Sequence, residues 1–124
     1  MFKLNWQNYR RSIVKVKPYI ISGIPTVSID HINELAGFHL VDVRRLEEFD
    51  GELGHIKGAI LKTLGPDLDQ YLDEIKKDQD ILFICRSGAR SATATNLALS
   101  KGFKNVFNLE GGMLAWNDKE LERS

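Results

Sequence analysis

Asp80-Ile81-Leu82-Phe83-Ile84 runs directly into Cys85-Arg86-Ser87-Gly88-Ala89-Arg90-Ser91, which leads into Ala92-Thr93-Ala94-Thr95-Asn96-Leu97-Ala98-Leu99. The first run is short, apolar and rich in β-branched and aromatic residues, as befits a strand buried on both faces of a parallel sheet. The third places Ala94, Leu97 and Ala98 on one helical stripe. Strand, tight loop and helix follow one another, and Cys85 stands where strand gives way to loop.

A thiol at that junction gains from three local causes, all favouring thiolate. They are the free N–H groups of the helix start, the positive end of the helix dipole, and the nearby guanidinium groups of Arg86 and Arg90. Gly88 has no Cβ and accepts positive φ, so the loop can curl until several N–H groups converge on one anionic atom. The plain alternative is a small buried hydrophobe in an ordinary turn. It leaves two arginines, a glycine and two serines immediately after the cysteine without a purpose. Cys85 is therefore the candidate nucleophile, and Arg86, Ser87, Gly88, Ala89, Arg90 and Ser91 form the candidate loop that binds substrate and stabilises its charge.

Outward from this centre, Pro25-Thr26-Val27-Ser28-Ile29 reads as a strand. Asp30 reads as the N-cap of a helix over His31-Ile32-Asn33-Glu34-Leu35-Ala36, which Gly37 stops. His39-Leu40-Val41-Asp42-Val43 is the next strand, Arg45 to Phe49 a helical turn, and Ala59-Ile60-Leu61 a third strand. Pro66 at a first helical position opens a helix over Asp67 to Lys77, with Leu68, Leu72 and Ile75 on one face. The helix after Cys85 ends at Lys101-Gly102, Asn105-Val106-Phe107-Asn108-Leu109 is a fifth strand, and Gly111-Gly112 turns into a last helix carrying Met113, Leu114 and Trp116. Strands alternating with helices predict an α/β domain with a mainly parallel sheet and right-handed crossovers. Residues 1–24 read as a basic and aromatic arm preceding a domain over 25–124, with Phe2, Trp6 and Tyr9 covering an apolar patch of that domain.

The loop at Cys85 resembles the active-site loop of rhodanese-type sulfurtransferases. Leu40-Val41-Asp42-Val43-Arg44 with Glu47-Glu48-Phe49, Gly54-His55-Ile56-Lys57-Gly58-Ala59-Ile60, and Glu110-Gly111-Gly112-Met113-Leu114-Ala115-Trp116 resemble three further signatures of that family, in the family's order. Four ordered motifs specify far more than one. The resemblance implies a rhodanese-like sheet of five strands in the order 1-5-4-2-3 with helices on both faces. It implies transfer of a sulfane sulfur from thiosulfate or a similar small anionic donor, through a Cys85 persulfide, to cyanide or a thiol. A sulfur-acceptor protein is a further possible partner.

For Asp42 and Arg44 the resemblance implies support of the loop's surroundings, and the residues themselves suggest that Arg44 pairs with Glu47 or Glu48. His55 invites a Cys-His dyad, but a histidine in a glycine-flanked loop is more often a hydrogen-bonded structural group, and in the resembled family it is not the base. His31, His39 and His55 show no metal-ligand spacing with Cys85, and the chemistry calls for no cofactor. Cysteine phosphatases related to this fold place five residues between cysteine and arginine. Here four separate Cys85 from Arg90, a smaller ring that, by the loop-length distinction the family resemblance implies, favours an added sulfur atom over a phosphoryl group. Three readings stand behind the enzyme: a persulfide carrier between protein partners, a cysteine-dependent phosphatase, and a non-catalytic interaction domain, against which the intact cysteine counts.

At 124 residues, 43% hydrophobic and 27% charged, the chain has the size and composition of one globular domain. Seventeen basic and seventeen acidic residues cancel, so no global field recruits nucleic acid or a membrane surface. The single cysteine allows no internal disulfide and fits a reducing compartment. No apolar run reaches the roughly 18 residues of a membrane span. Although residues 1–29 carry five basic and no acidic residues, Trp6, Tyr9 and Tyr19 are unlike a transit peptide, and the expected location is the cytoplasm.

Overall fold

The computed structural model describes residues 18–34, 36–121 and 123. Strands β1 (Tyr19–Ile21), β2 (Ile24–Val27), β3 (His39–Asp42), β4 (Ile60–Leu61), β5 (Asp80–Ile84) and β6 (Asn105–Leu109) alternate with helices α1 (Leu46–Phe49), α2 (Pro66–Glu74), α3 (Ala89–Ser100) and α4 (Gly112–Asp118). They form one sheet in the order β1-β2-β6-β5-β3-β4, parallel throughout except where β1 meets β2. From β2 onward this is the expected order 1-5-4-2-3.

The expected count of five is corrected to six. Ser22 and Gly23 both take positive φ, 51° and 81°, which makes the two-residue turn whose twist suits a hairpin. It folds Tyr19–Ile21 back on β2, with Ile21 opposite Ile24. This strand falls within the stretch read as an arm; the reading of Phe2, Trp6 and Tyr9 concerns residues outside those described.

Two local expectations also change. The segment after β2 is a 3-10 helix over Ile29–Glu34, and its cap is Ser28, whose Oγ accepts the Asp30 N–H at 3.2 Å. Helix α2 stops at Glu74 rather than Lys77: Ile75 is extended, and Lys77 Nζ reaches back 2.9 Å to the Leu72 carbonyl, supplying a donor to the open helix end.

The apolar residues of β5 alternate between two cores. Ile81 and Phe83 join Cys85, Leu68 and Leu72 of α2 and Ala94 and Ala98 of α3 on one face; Leu82 and Ile84 join Ile56 and the Met113 and Trp116 of α4 on the other. Both faces are covered, as a parallel sheet requires. Strand β5 lies inside the sheet between β3 and β6, and the residues following β3 and β5 emerge side by side at their carboxyl ends, where open α/β sheets hold ligands. Among the described residues, no helix is long and apolar enough to cross a membrane.

Candidate active site

Cys85 follows the last residue of β5 and is 1% exposed. The chain then turns through Arg86 and Ser87 to Gly88, the N-cap of α3, which sits at φ 108° in the left-handed region. That conformation is open to glycine and strained for other residues. It brings the Gly88 N–H to 3.0 Å from Cys85 Sγ, and Ser91 Oγ, one turn into α3, stands 3.2 Å from the same sulfur. Burial pushes the thiol up, but donation from the Ser91 hydroxyl and from the backbone N–H groups of Ser91, Gly88 and Ser87 outweighs it and holds the thiol below its ordinary value.

Three neighbours shape the loop. From β6, the buried Asn108 accepts a hydrogen bond from Ser91 Oγ at its Oδ1 and donates from Nδ2 to the Gly88 carbonyl at 3.2 Å. From the opposite face of the sheet, α4 donates Met113 N–H to the Cys85 carbonyl at 2.8 Å and Leu114 N–H to the Arg86 carbonyl at 3.0 Å. Gly112 permits that docking, since a Cβ there would lie 2.3 Å from the Cys85 carbonyl oxygen. From α1, Glu48 grips Arg90 with both carboxylate oxygens, at 2.6 and 2.8 Å. The bidentate Arg90 contact, set against a smaller cost of burial, holds the Glu48 carboxyl at about 2.

Arg90 therefore turns back to pin the loop to α1, whereas Arg86 is exposed. Arg86 lines a cleft of about 400 Å3 together with Arg44, Glu47, Glu48 and Glu52. Ser87 and Gly88 also border a second groove of about 280 Å3, on the side of the β1–β2 hairpin, with Ile21, Asn108 and Glu110.

Asp42 and Arg44 sit beside the loop without reaching the sulfur. Arg44 is paired with Asp42, at 2.9 Å from Nε to Oδ1 and 2.8 Å from NH2 to Oδ2, which corrects the expected pairing with a Glu47 or Glu48 carboxylate. The reason is burial: Arg44 and Asp42 are 1% and 0% exposed, and a guanidinium out of water needs its counter-charge equally enclosed. The remaining Arg44 donors reach the carbonyls of Glu48 at 3.2 Å and Gly54 at 2.7 Å, tying the end of β3 to α1 and the loop after it. His55 donates Nδ1–H to the Phe49 carbonyl at 2.9 Å and stacks on the Phe49 ring, a structural hydrogen bond in place of a dyad.

Glu48, Asn108 and Gly112 thus join the site unannounced as site residues. Asn108 carried a signal: Val106 and Asn108 share the face of β6 turned to α3, and an amide in a buried register needs partners. No local pattern could reveal that Glu48 meets Arg90 across 42 residues.

Residues 29–119 match the family described as rhodanese-like domain. The chain belongs to the rhodanese-like domain family. A putative sulfur carrier protein of Bacillus subtilis is 32% identical over 102 residues, covering 79% of this chain and 54% of that protein; the chain thus spans about half the length of this relative. A thiosulfate sulfurtransferase of Vibrio cholerae is 32% identical over 83 residues, covering 67% of this chain and 76% of that protein. A Rhodopseudomonas palustris protein of unknown function, whose structure is described as a possible tyrosine phosphatase, is 25% identical and superposes with a TM-score of 0.74, over 100% of this chain and 97% of its own. The rhodanese-like chain is thus related to sulfurtransferases and sulfur carriers.

Proposed function

We propose that this rhodanese-like protein transfers a sulfane sulfur through a persulfide on Cys85. The observation that carries the reading is a single sulfur at the end of β5, met by the Gly88 N–H and the Ser91 O–H. With thiosulfate, the Cys85 thiolate attacks the outer sulfur, the bond from that sulfur to the sulfite group breaks, and sulfite leaves with its electron pair. Cys85 is left as an anionic persulfide. An acceptor then attacks the terminal sulfur and restores the thiolate; cyanide leaves as thiocyanate, and a thiol takes the sulfur as its own persulfide. An ionised thiol needs no general base. The loop N–H groups stabilise the anionic sulfur at both stages as preorganised dipoles, and the exposed Arg86 meets the anionic donor.

The sulfur-carrier relative supports a protein acceptor in place of a small thiol. Phosphatase chemistry is supported less, because Arg90 is engaged by Glu48 and four residues separate it from Cys85. The lone free thiol suits a reducing compartment such as the cytoplasm.

Steady-state transfer from thiosulfate to cyanide tests the reading. Cys85→Ser abolishes turnover, and Arg86→Ala raises the thiosulfate KM about tenfold while changing kcat little, as loss of one charge-assisted contact does. Full activity in Cys85→Ser overturns the mechanism.

A further inference from the structure

The Ser91 hydroxyl carries one proton and faces two acceptors. Its Oγ stands 3.2 Å from Cys85 Sγ and is also bonded to Asn108 Oδ1. Ser91 is 0% exposed, so the hydroxyl proton must be shared between these two neighbours.

The charge on the sulfur decides which of them receives it. When Cys85 is a thiolate, the hydroxyl turns to the sulfur and Asn108 Oδ1 gives up its donor. When Cys85 is a thiol, S–H donates to Ser91 Oγ and the hydroxyl donates its own hydrogen bond to Asn108 Oδ1, a chain of two bonds in one direction. When Cys85 carries an added sulfur, the negative charge moves outward to the terminal atom, and the hydroxyl again has Asn108 to bond. No proton leaves Ser91 in any of these changes; only the O–H rotates.

We propose that Asn108 is a positioning residue that competes with Cys85 for the Ser91 hydroxyl, giving that hydroxyl a second partner whenever the sulfur loses its charge. Without such an acceptor the hydroxyl would favour the thiolate at every stage and oppose the shift of charge onto the transferred sulfur. Asn108 is suited to this because it is neutral and held in place: its amide donates to the Gly88 carbonyl, and its backbone lies in β6, paired at Phe83 and Thr26. The inference rests on Cys85 being the reacting group proposed above, but its test reads the thiol directly and uses no sulfur donor.

The charged groups around Cys85 belong to other elements. They are Arg86 in the loop, Arg90 of α3 with Glu48 of α1, the Asp42–Arg44 pair after β3, and Glu110 beyond β6, which borders the groove with Asn108. None is altered in the variants below.

Because the chain has one cysteine, the ultraviolet absorbance of the thiolate, taken against Cys85→Ser, gives the pH midpoint of Cys85 alone. Ser91→Ala moves the midpoint up by about one unit, the effect of losing one hydrogen bond to the charged form. Asn108→Ala moves it down by about half a unit, because the Ser91 proton is then uncontested, and the near-isosteric Asn108→Leu does the same should the alanine variant fail to fold. In the Ser91→Ala background the Asn108 substitutions have no further effect. A purely structural role through Gly88 would loosen the Gly88 N–H and move the midpoint up, with or without Ser91. An upward or unchanged midpoint on substituting Asn108, or a shift that persists without Ser91, overturns the proposal.

Discussion

Glu48 binds Arg90 through both carboxylate oxygens, and its backbone carbonyl receives Arg44. One residue of α1 thereby connects the Cys85 loop with the end of β3. Its folded carboxyl is held at about 2 against an ordinary 4.5, so the unfolded chain takes up a proton at a higher pH than the folded one. The stability this supplies is complete above about pH 4.5 and is lost as the pH falls through about 2. Glu48→Gln is expected to lose about 2 kcal/mol at neutral pH, the scale of a charge-assisted pair, with water reaching the 22% exposed carboxylate and trimming the value. It should then lose less than the parent between pH 4.5 and pH 2, as urea unfolding at both pH values would record. Equal acid sensitivity of the two proteins would contradict this assignment. At this scale the sequence made the strand, loop and helix that meet at Cys85 legible, because strand, cysteine, glycine and helix are contiguous. It could not reveal that Arg90 belongs to Glu48 and Arg44 to Asp42, since such choices depend on which carboxylate the fold encloses.

The elements around the site are held together through backbone atoms as much as side chains. Helix α4 meets the loop by donating Met113 and Leu114 N–H groups to the carbonyls of Cys85 and Arg86, an approach that leaves no space for a side chain at Gly112. In Gly112→Ala the new Cβ meets backbone at 2.3 and 2.8 Å and sits on a residue of φ 53°. Helix and loop must separate, at a cost of about 3 kcal/mol, measurable by urea unfolding; a variant as stable as the parent would show that α4 does not hold the loop. The Gly111-Gly112 pair was read as a turn into a helix, and that much was local. Its contact with Cys85 spans two distant parts of the chain and left no mark in either. Strand β1 was the opposite case: Ser22-Gly23 between Ile21 and Ile24 is a local turn signal in a stretch read only as a basic and aromatic arm.

For the whole molecule, alternation of strand and helix was enough for an α/β domain with a mainly parallel sheet, whereas the strand order and the helices on both faces came from resemblance to the rhodanese family. Periodicity determines which face of a strand is buried and says nothing of which strand lies beside it. That order has a functional consequence, because it sets β5 between β3 and β6 and so surrounds Cys85 with Asp42 and Arg44 on one side and Asn108 on the other. Zero formal net charge leaves attraction of the proposed anionic donor to local groups, for which Arg86 at the cleft and the loop N–H groups at the sulfur are the candidates. The most direct measurement is the intact mass of the purified protein before and after thiosulfate, and again after cyanide. Persulfide chemistry predicts a gain of one sulfur atom on Cys85, absent in Cys85→Ser and removed by cyanide. An unchanged mass after thiosulfate, mercaptopyruvate and polysulfide alike would contradict it.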